Sequence, residues 1–381
     1  MGRCQNDFMQ TVDVLIQGAG IVGTSLALSL SQRGLRVALR STTGPRPDTD
    51  VRAYALNAAS VKLLRALRVW DALPRHAITP VYDMRIEGDA HSMLEFSAWH
   101  QGVSELAWIV DVSALEQALA TAAKFSPNIQ LLDTLNPRPQ AALTAICEGK
   151  HSAWRDTLPG VHITQMDYQQ TAIAARLTAS VPHAGVARQW FRSPDVLALL
   201  PCTDAAVGQA AYALVWSLPT DRASQLMAAS DGEFEAALAN AVPTESGVGT
   251  LALASSRACW PLSRATASHW CGSGWVLLGD AAHVVHPLAG QGLNLGLADV
   301  MALTEVLDQR EKWRSLGDIK LLRRYERRRA LPTRMMTELT SGLAHLFAHP
   351  SPWVGEVRNR GMSLAQNVPG IKRWLTGKAL G

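Results

Sequence analysis

The residues with the clearest chemistry form one run, Gly279-Asp280-Ala281-Ala282-His283-Val284-Val285-His286-Pro287-Leu288-Ala289-Gly290-Gln291-Gly292-Leu293-Asn294. It follows Trp275-Val276-Leu277-Leu278, which reads as a buried strand, and it passes through a Pro/Gly loop into a helix starting near Gly292. Such a strand–loop–helix aims backbone N–H groups and the positive end of a helix dipole at one point. That arrangement suits an anion, or a flat ring that becomes anionic when reduced. Gly290 and Gly292 carry no Cβ, so the backbone can approach a flat ligand closely. Asp280, at the strand end, is placed to accept hydrogen bonds from sugar-like hydroxyls. His283 and His286 are tempting as acid or base residues, because a free imidazole titrates near neutrality. A histidine beside a Gly-Asp turn is more often a packed or hydrogen-bonded fixture, so no residue is nominated as a catalytic acid or base.

A second constellation lies near the N-terminus. Val12-Asp13-Val14-Leu15-Ile16 reads as a buried parallel strand, Gly18-Ala19-Gly20-Ile21-Val22-Gly23 follows at once, and residues 24–33 read as a helix. This is the dinucleotide fingerprint in its required context, strand before and helix after. Gly18 allows the tight turn, Gly20 lets a pyrophosphate approach, and Gly23 lets helix and strand pack closely. The fingerprint usually carries an acid at the end of the second strand. Here that strand ends Leu39-Arg40-Ser41. Arg40 could meet a 2′-phosphate or simply be a solvated strand end.

The elements that must hold these loops are legible in outline. A chain of 381 residues exceeds the usual single-core limit, so two domains are expected. A net charge of +4 is mildly basic, and no basic block is interleaved with aromatics, so nucleic acid is not an expected partner. The densest basic cluster, Arg323-Arg324-Tyr325-Glu326-Arg327-Arg328-Arg329, reads as the solvated face of a helix. The five cysteines are odd in number and form no CxxC pair, which argues against a disulfide framework and a metal site and fits a reducing cytoplasm. No uninterrupted apolar run reaches the length of a membrane-spanning helix, and no signal peptide is evident. Residues 110–124 read as a helix. Thr171-Ala172-Ile173-Ala174-Ala175-Arg176-Leu177 and Tyr212-Ala213-Leu214-Val215-Trp216-Ser217 read as strands of a mainly antiparallel sheet.

The 279–297 run resembles the aromatic-ring flavoprotein monooxygenases, and within them the hydroxylases of ubiquinone biosynthesis. The order of the lesser segments agrees along nearly the whole chain. These include Asp50-x-Arg52-Ala-x-Ala55-Leu56, Tyr168-Gln-Gln-Thr-Ala172, Leu199-Leu200-Pro201, Val215-Trp216-Ser217 and Trp260-Pro261-Leu262. The resemblance implies an α/β fold, a Rossmann-like FAD-binding domain with an inserted, mainly antiparallel β-sheet substrate domain and a helical C-terminal tail. Residues 1–75, 100–160 and 257–330 would form the FAD-binding domain, 76–99 and 161–256 the substrate domain, and 331–381 the tail. It further implies that Asp280 contacts the ribityl chain of FAD, that Arg52 reaches the flavin, and that Pro287, Gly290, Gln291, Gly292, Leu293 and Asn294 lie along the isoalloxazine ring.

The implied activity is hydroxylation of the ring of a prenylated phenol, with FAD as cofactor, NADH or NADPH as reductant and O2 as oxidant. Ser41 departs from the family pattern where an acid is usual, Glu148-Gly149 where Asp-Gly is usual, and Ser113 where an Arg is frequent. The interval 129–147 reads as too short for the small strands of the family. These departures sustain one alternative, a non-catalytic subunit of a ubiquinone biosynthetic complex, and another FAD oxidoreductase of the same fold stands as a second. A prenylated substrate lives in the membrane, so the expected location is cytoplasmic and peripheral on the inner membrane, with other ubiquinone biosynthetic enzymes as partners. Leu343, Leu346 and Phe347, then Val368, Ile371, Trp374 and Leu375 with Lys372, Arg373 and Lys378, recur at helical spacing that suits a lipid interface.

Overall fold

Val14 and Ile16 are wholly buried in the strand Val12–Gln17, because parallel neighbours flank it on both sides and helices cover its faces. The computed structural model describes residues 11–41, 50–88, 93–204, 207–285 and 292–348, with the side chains of 339–341 and 343–348 excepted. The first sheet has six strands, in the order Cys271–Gly272, Trp275–Leu277, Ala141–Ile146, Val12–Gln17, Val37–Arg40 and Ile129–Leu132. All pairings but the first are parallel. Their carboxyl ends therefore share one edge of the sheet. The chain leaves that edge at Gly18, Ser41, Cys147 and Leu278, the edge at which open parallel sheets bind ligands. The interval 129–147, expected to be too short for strands, supplies two of the six. Residues 133–140 join them across the sheet, and both strands find parallel partners, Ile129–Leu132 on Val37–Arg40 and Ala141–Ile146 on Val12–Gln17.

A nine-stranded, mostly antiparallel sheet stands against that edge. Its central strands are Ile163–Ala179, Gly208–Pro219, Asp195–Asp204 and Val186–Arg192. The strand Ala258–Ala267, expected with the first domain, pairs here with Ile163–Ala179. Alternation sorts the residues onto two unlike faces. One face carries Ile173, Trp216, Leu197 and Trp190, which form a core under the helices Thr220–Ala228 and Asp231–Ala241 through Phe234 and Leu238. The other face carries Ala172, Ala174, Ala213, Ala198 and Ala187 beside Val215 and Ser217. Short side chains there leave a depression, and that depression faces the loops of the first sheet.

The helix Gly292–Asp308 is apolar nearly all round and is buried between sheet and surface, with Leu297, Val300 and Leu303 fully enclosed. The long helix Ile319–Ala348 packs over it. The segments 349–381 and 286–291, which hold most of the expected tail and the expected ring contacts Pro287, Gly290 and Gln291, lie outside the described residues.

Gly23 shows how close this packing is. A Cβ at Gly23 would stand 1.9 Å from the carbonyl oxygen of Gly18. That oxygen is backbone and cannot swing away. Gly23→Ala is expected to cost about 1–3 kcal/mol of stability, the usual cost of overpacking. Thermal unfolding of the cofactor-free protein checks this, and a melting temperature equal to wild type would contradict it.

Candidate functional site

The fingerprint turn is built for an anion. Gly18 has a φ of +102°, and a Cβ there would lie 2.4 Å from the Cys147 carbonyl oxygen, so glycine is required on both counts. Gly20 caps the helix Ile21–Ser31, and no side chain accepts from its first turn. That turn also holds no acid. The helix N-terminus is therefore unneutralised by its own sequence, and its dipole favours a phosphate.

Asp280 reaches the same space from the Gly279–Ala281 turn. Its side chain is open to the cavity yet deep among protein atoms, and no described residue donates a hydrogen bond to its carboxylate. Burial pushes its carboxyl pKa up, against the pull of His283, Lys150 and Arg52. An acceptor placed this way satisfies itself on hydroxyls brought by a ligand. Arg52 lines the cavity beside Tyr54 and is oriented by Asp50, which accepts from its Nε at 2.8 Å. Arg52, Arg85, Lys150 and Arg188 give the cavity its cations, and Glu116 and Glu148 join Asp280 as acids.

The departures from the family pattern acquire physical roles. Glu148 Oε2 accepts from Ser152 Oγ at 2.6 Å and from the Trp154 N–H at 3.0 Å, so this carboxylate shapes its own loop. Arg155, also buried, donates to the Ala281 carbonyl at 3.3 Å and ties that loop to the Asp280 turn. Ser41 donates its N–H to Leu132, and Arg40 spends its guanidinium on the carbonyls of Asp133 and Thr134. Arg40 thus ends its strand with its guanidinium engaged on neighbouring carbonyls and is not free for a 2′-phosphate. Ser113 sits half-buried in the helix Val112–Lys124, away from the cavity wall.

Of the expected cofactor contacts, Gly18, Gly20, Arg52, Asp280, Gly292 and Leu293 line one cavity. Gly23 and Asn294 stand behind it. Asn294 accepts from the Asn57 N–H and Ser60 Oγ and donates to the Ala55 carbonyl at 2.8 Å. Its amide therefore stitches the Gly292–Asp308 helix to the strand Ala53–Leu56, which follows Arg52, and is committed to protein. Pro287, Gly290, Gln291 and His286 lie outside the described residues. His283 is buried, with Nε2 2.7 Å from Asp299. It is a fixture, as the sequence indicated. Asp299 itself was not anticipated, although a lone acid in the otherwise apolar run Leu295 to Leu303 was a usable signal. Arg329 was also missed: it leaves the solvated face expected of the 323–329 cluster and pairs with Asp299 at 2.6 Å. Arg323, Arg327 and Arg328 do face solvent.

The cavity has a volume of about 490 Å³, within the range of cofactor and small-molecule sites. It runs from the Gly18–Gly20 turn, past Asp280, to the alanine-faced sheet at Ala174, Ala198 and Val215. The residues present fit FAD: a phosphate-seeking helix end, a free carboxylate for polyol hydroxyls, and a flat, small-residue wall beyond.

Comparisons with known proteins agree with that fit. The family model described as "FAD binding domain" matches residues 11–135 and 130–340. The 3-demethoxyubiquinol 3-hydroxylase of Escherichia coli is 29% identical over 98% of this chain and 99% of its own length. A mitochondrial ubiquinone biosynthesis monooxygenase of Drosophila melanogaster is 28% identical over 99% of this chain and 91% of its own. Among solved structures, PqsL of Pseudomonas aeruginosa, a probable FAD-dependent monooxygenase, is similar in fold. Its TM-score is 0.75 at 20% identity, covering 93% of this chain and 99% of that one.

Asp280→Asn separates two consequences of this geometry. Because burial raises the carboxyl pKa, the folded chain holds this proton more tightly than the unfolded chain. Stability of the cofactor-free protein therefore falls as pH rises above the ordinary carboxylate range of about 4, and the substitution should flatten that slope. The same change removes the charged acceptor, so FAD should bind about 1.5–3 kcal/mol more weakly, roughly ten- to a hundredfold. Melts across pH and fluorescence titration with FAD check both. Unchanged affinity with an unchanged slope would contradict the placement of this carboxylate.

Proposed function

The chain belongs to the family defined by the FAD binding domain, and we propose that it is an FAD-dependent aromatic-ring monooxygenase of ubiquinone biosynthesis. Its substrate is a polyprenylated phenol, its reductant NADH or NADPH, and its oxidant O2. The supporting observation is the continuity of one cavity from the fingerprint turn to the alanine face of the large sheet. Cofactor and substrate ring can meet there without crossing solvent. Full-length similarity to enzymes named for ubiquinone hydroxylation favours this substrate class over others open to the fold.

When bound, FAD supplies the electron transfer and oxygen activation that side chains cannot. The chain's own residues bind, orient and exclude water. The Ile21–Ser31 helix end and Gly20 receive the pyrophosphate, and Asp280 takes the ribityl hydroxyls. The helix Gly292–Asp308 has no acid in its first turn, and Gly292 and Leu293 line the cavity, so its dipole stabilises negative charge developing beside it. Arg52, held by Asp50, sets a cation at the same wall. On the sheet side the ring meets Ala174, Ala198, Val215 and Trp260, with Ser217 and Ser263 as hydroxyl partners. Ser263 Oγ is buried without a partner among the described residues, so a ligand hydroxyl can pair with it. The phenol hydroxyl makes its own ring electron-rich, so positioning and dehydration are the main demands on the protein. Glu148 keeps a carboxylate engaged in its loop, which favours the catalytic reading over that of a non-catalytic subunit.

With FAD, NAD(P)H, a polyprenylated phenol and isotopically labelled O2, the product should gain one labelled oxygen on the ring. Gly20→Val, which puts a branched side chain against the pyrophosphate, should abolish this. Reductant consumption that ignores the phenol and yields no labelled product would refute the proposal.

The substrate also implies where the enzyme works. No helix among the described residues is long and apolar enough to cross a membrane. The basic and apolar residues at 368–378 then provide peripheral contact with the cytoplasmic face of the inner membrane, or with partner enzymes there. Full-length protein should co-sediment with anionic liposomes at low salt, and a chain ending at Pro369 should pellet at least about threefold less, consistent with loss of roughly one kilocalorie per basic residue. Equal pelleting of both would show that the tail is not the membrane contact.

A further inference from the structure

Asp280 has no described hydrogen-bond donor of its own, so the backbone around it sets its position. That backbone is pinned at both ends by one carboxylate oxygen. Asp299 Oδ2 accepts from the Gly279 N–H at 2.9 Å and lies 2.7 Å from His283 Nε2. Between them the Ala282 N–H closes the turn onto the Gly279 carbonyl at 2.8 Å. The other oxygen, Asp299 Oδ1, accepts from Arg329 Nε at 2.6 Å. Arg329 also donates to the Leu295 carbonyl at 3.1 Å, so it grips the helix that carries Asp299. The His283 ring lies against Trp270, with centroids 4.8 Å apart.

Arg329 belongs to the long helix Ile319–Ala348, and two neighbours on that helix grip the same region. Tyr325 donates to the Leu277 carbonyl at 2.9 Å, at the end of the strand that leads into the Asp280 turn. Glu326 accepts the Trp270 N–H at 2.8 Å. Asp299 and His283 are almost wholly buried, and the Arg329 side chain is only 11% exposed. In such a setting each pairing is strong and the loss of one partner is not replaced by water.

We propose that Asp299, His283 and Arg329 form a buried clasp that positions Asp280 for the cofactor, so that cofactor retention depends on docking of the C-terminal helix. The inference rests on the reading that Asp280 meets the ribityl chain. Asp299, His283 and Arg329 are positioning residues. They line no part of the cavity and act through the turn they hold.

Fluorescence titration of the full chain with FAD tests this, using Arg329→Met, Arg329→Lys, Asp280→Ala and the Arg329→Met/Asp280→Ala pair. Arg329→Gln replaces the Met variant if circular dichroism shows that the latter does not fold. Arg329→Met should weaken FAD by roughly tenfold, and Arg329→Lys, which keeps the charge, should recover part of the loss. Because Arg329 acts through Asp280, its removal should change affinity less than about twofold once Asp280 is Ala. A clasp without this role shows in either of two ways: Arg329→Met binds FAD like wild type, or it costs the same factor with and without Asp280. If Asp280→Ala alone leaves affinity unchanged, the ribityl reading fails and the clasp proposal falls with it.

Discussion

A carboxylate that loses water must gain donors or lose its charge, and the interior of this protein is arranged around one such group. Asp299 has no exposed surface and sits in a helix of leucines, valines and alanines. Burial alone would push its carboxyl pKa up, but His283 and Arg329 outweigh burial and hold it below the ordinary value. Meeting its demand fixes three things at once. The Gly279 turn must approach from one side, His283 from another, and the C-terminal helix must dock so that Arg329 arrives. Removing one partner of such a group typically costs about 3–5 kcal/mol, a large part of a domain's stability. The turn that carries Asp280 is therefore held by the same interaction that organises the helices behind it.

The second constraint is steric. Parallel strands send their loops to a common edge, and an antiparallel sheet opposes that edge with its small-residue face. Alternation makes this possible within single strands. In Ile163–Ala179, Ile173 and Leu177 fill the core under the helices while Ala172 and Ala174 recede on the cavity side. One strand thus supplies packing to the protein and room to the ligand. A larger side chain at Ala174 or Ala198 would occupy the space where the two halves of the site meet.

Much of this was legible in the sequence, and the reasons for success and failure differ by range. Gly18, Gly20 and Asp280 are read from local order, because strand, turn and helix are contiguous and position 18 accepts only glycine. The strands through Ile173 and Trp216 show their period directly. Asn294 was expected beside the flavin ring, yet its partners Asn57, Ser60 and Ala55 are more than 230 positions away, a separation no local pattern reveals. Arg329 was hidden for the same reason, among basic neighbours that do face solvent. The strands Ile129–Leu132 and Ala141–Ile146 were missed because short buried strands take their stability from partners, not from their own propensity.

FAD in the cavity between the two sheets is what every role assigned above requires. The most direct measurement is the flavin content and visible spectrum of the purified protein after saturation with FAD and removal of the excess. One flavin per chain, with an absorbance band shifted from that of free FAD, is the expected result. Protein that returns colourless from saturating FAD while remaining folded would contradict it.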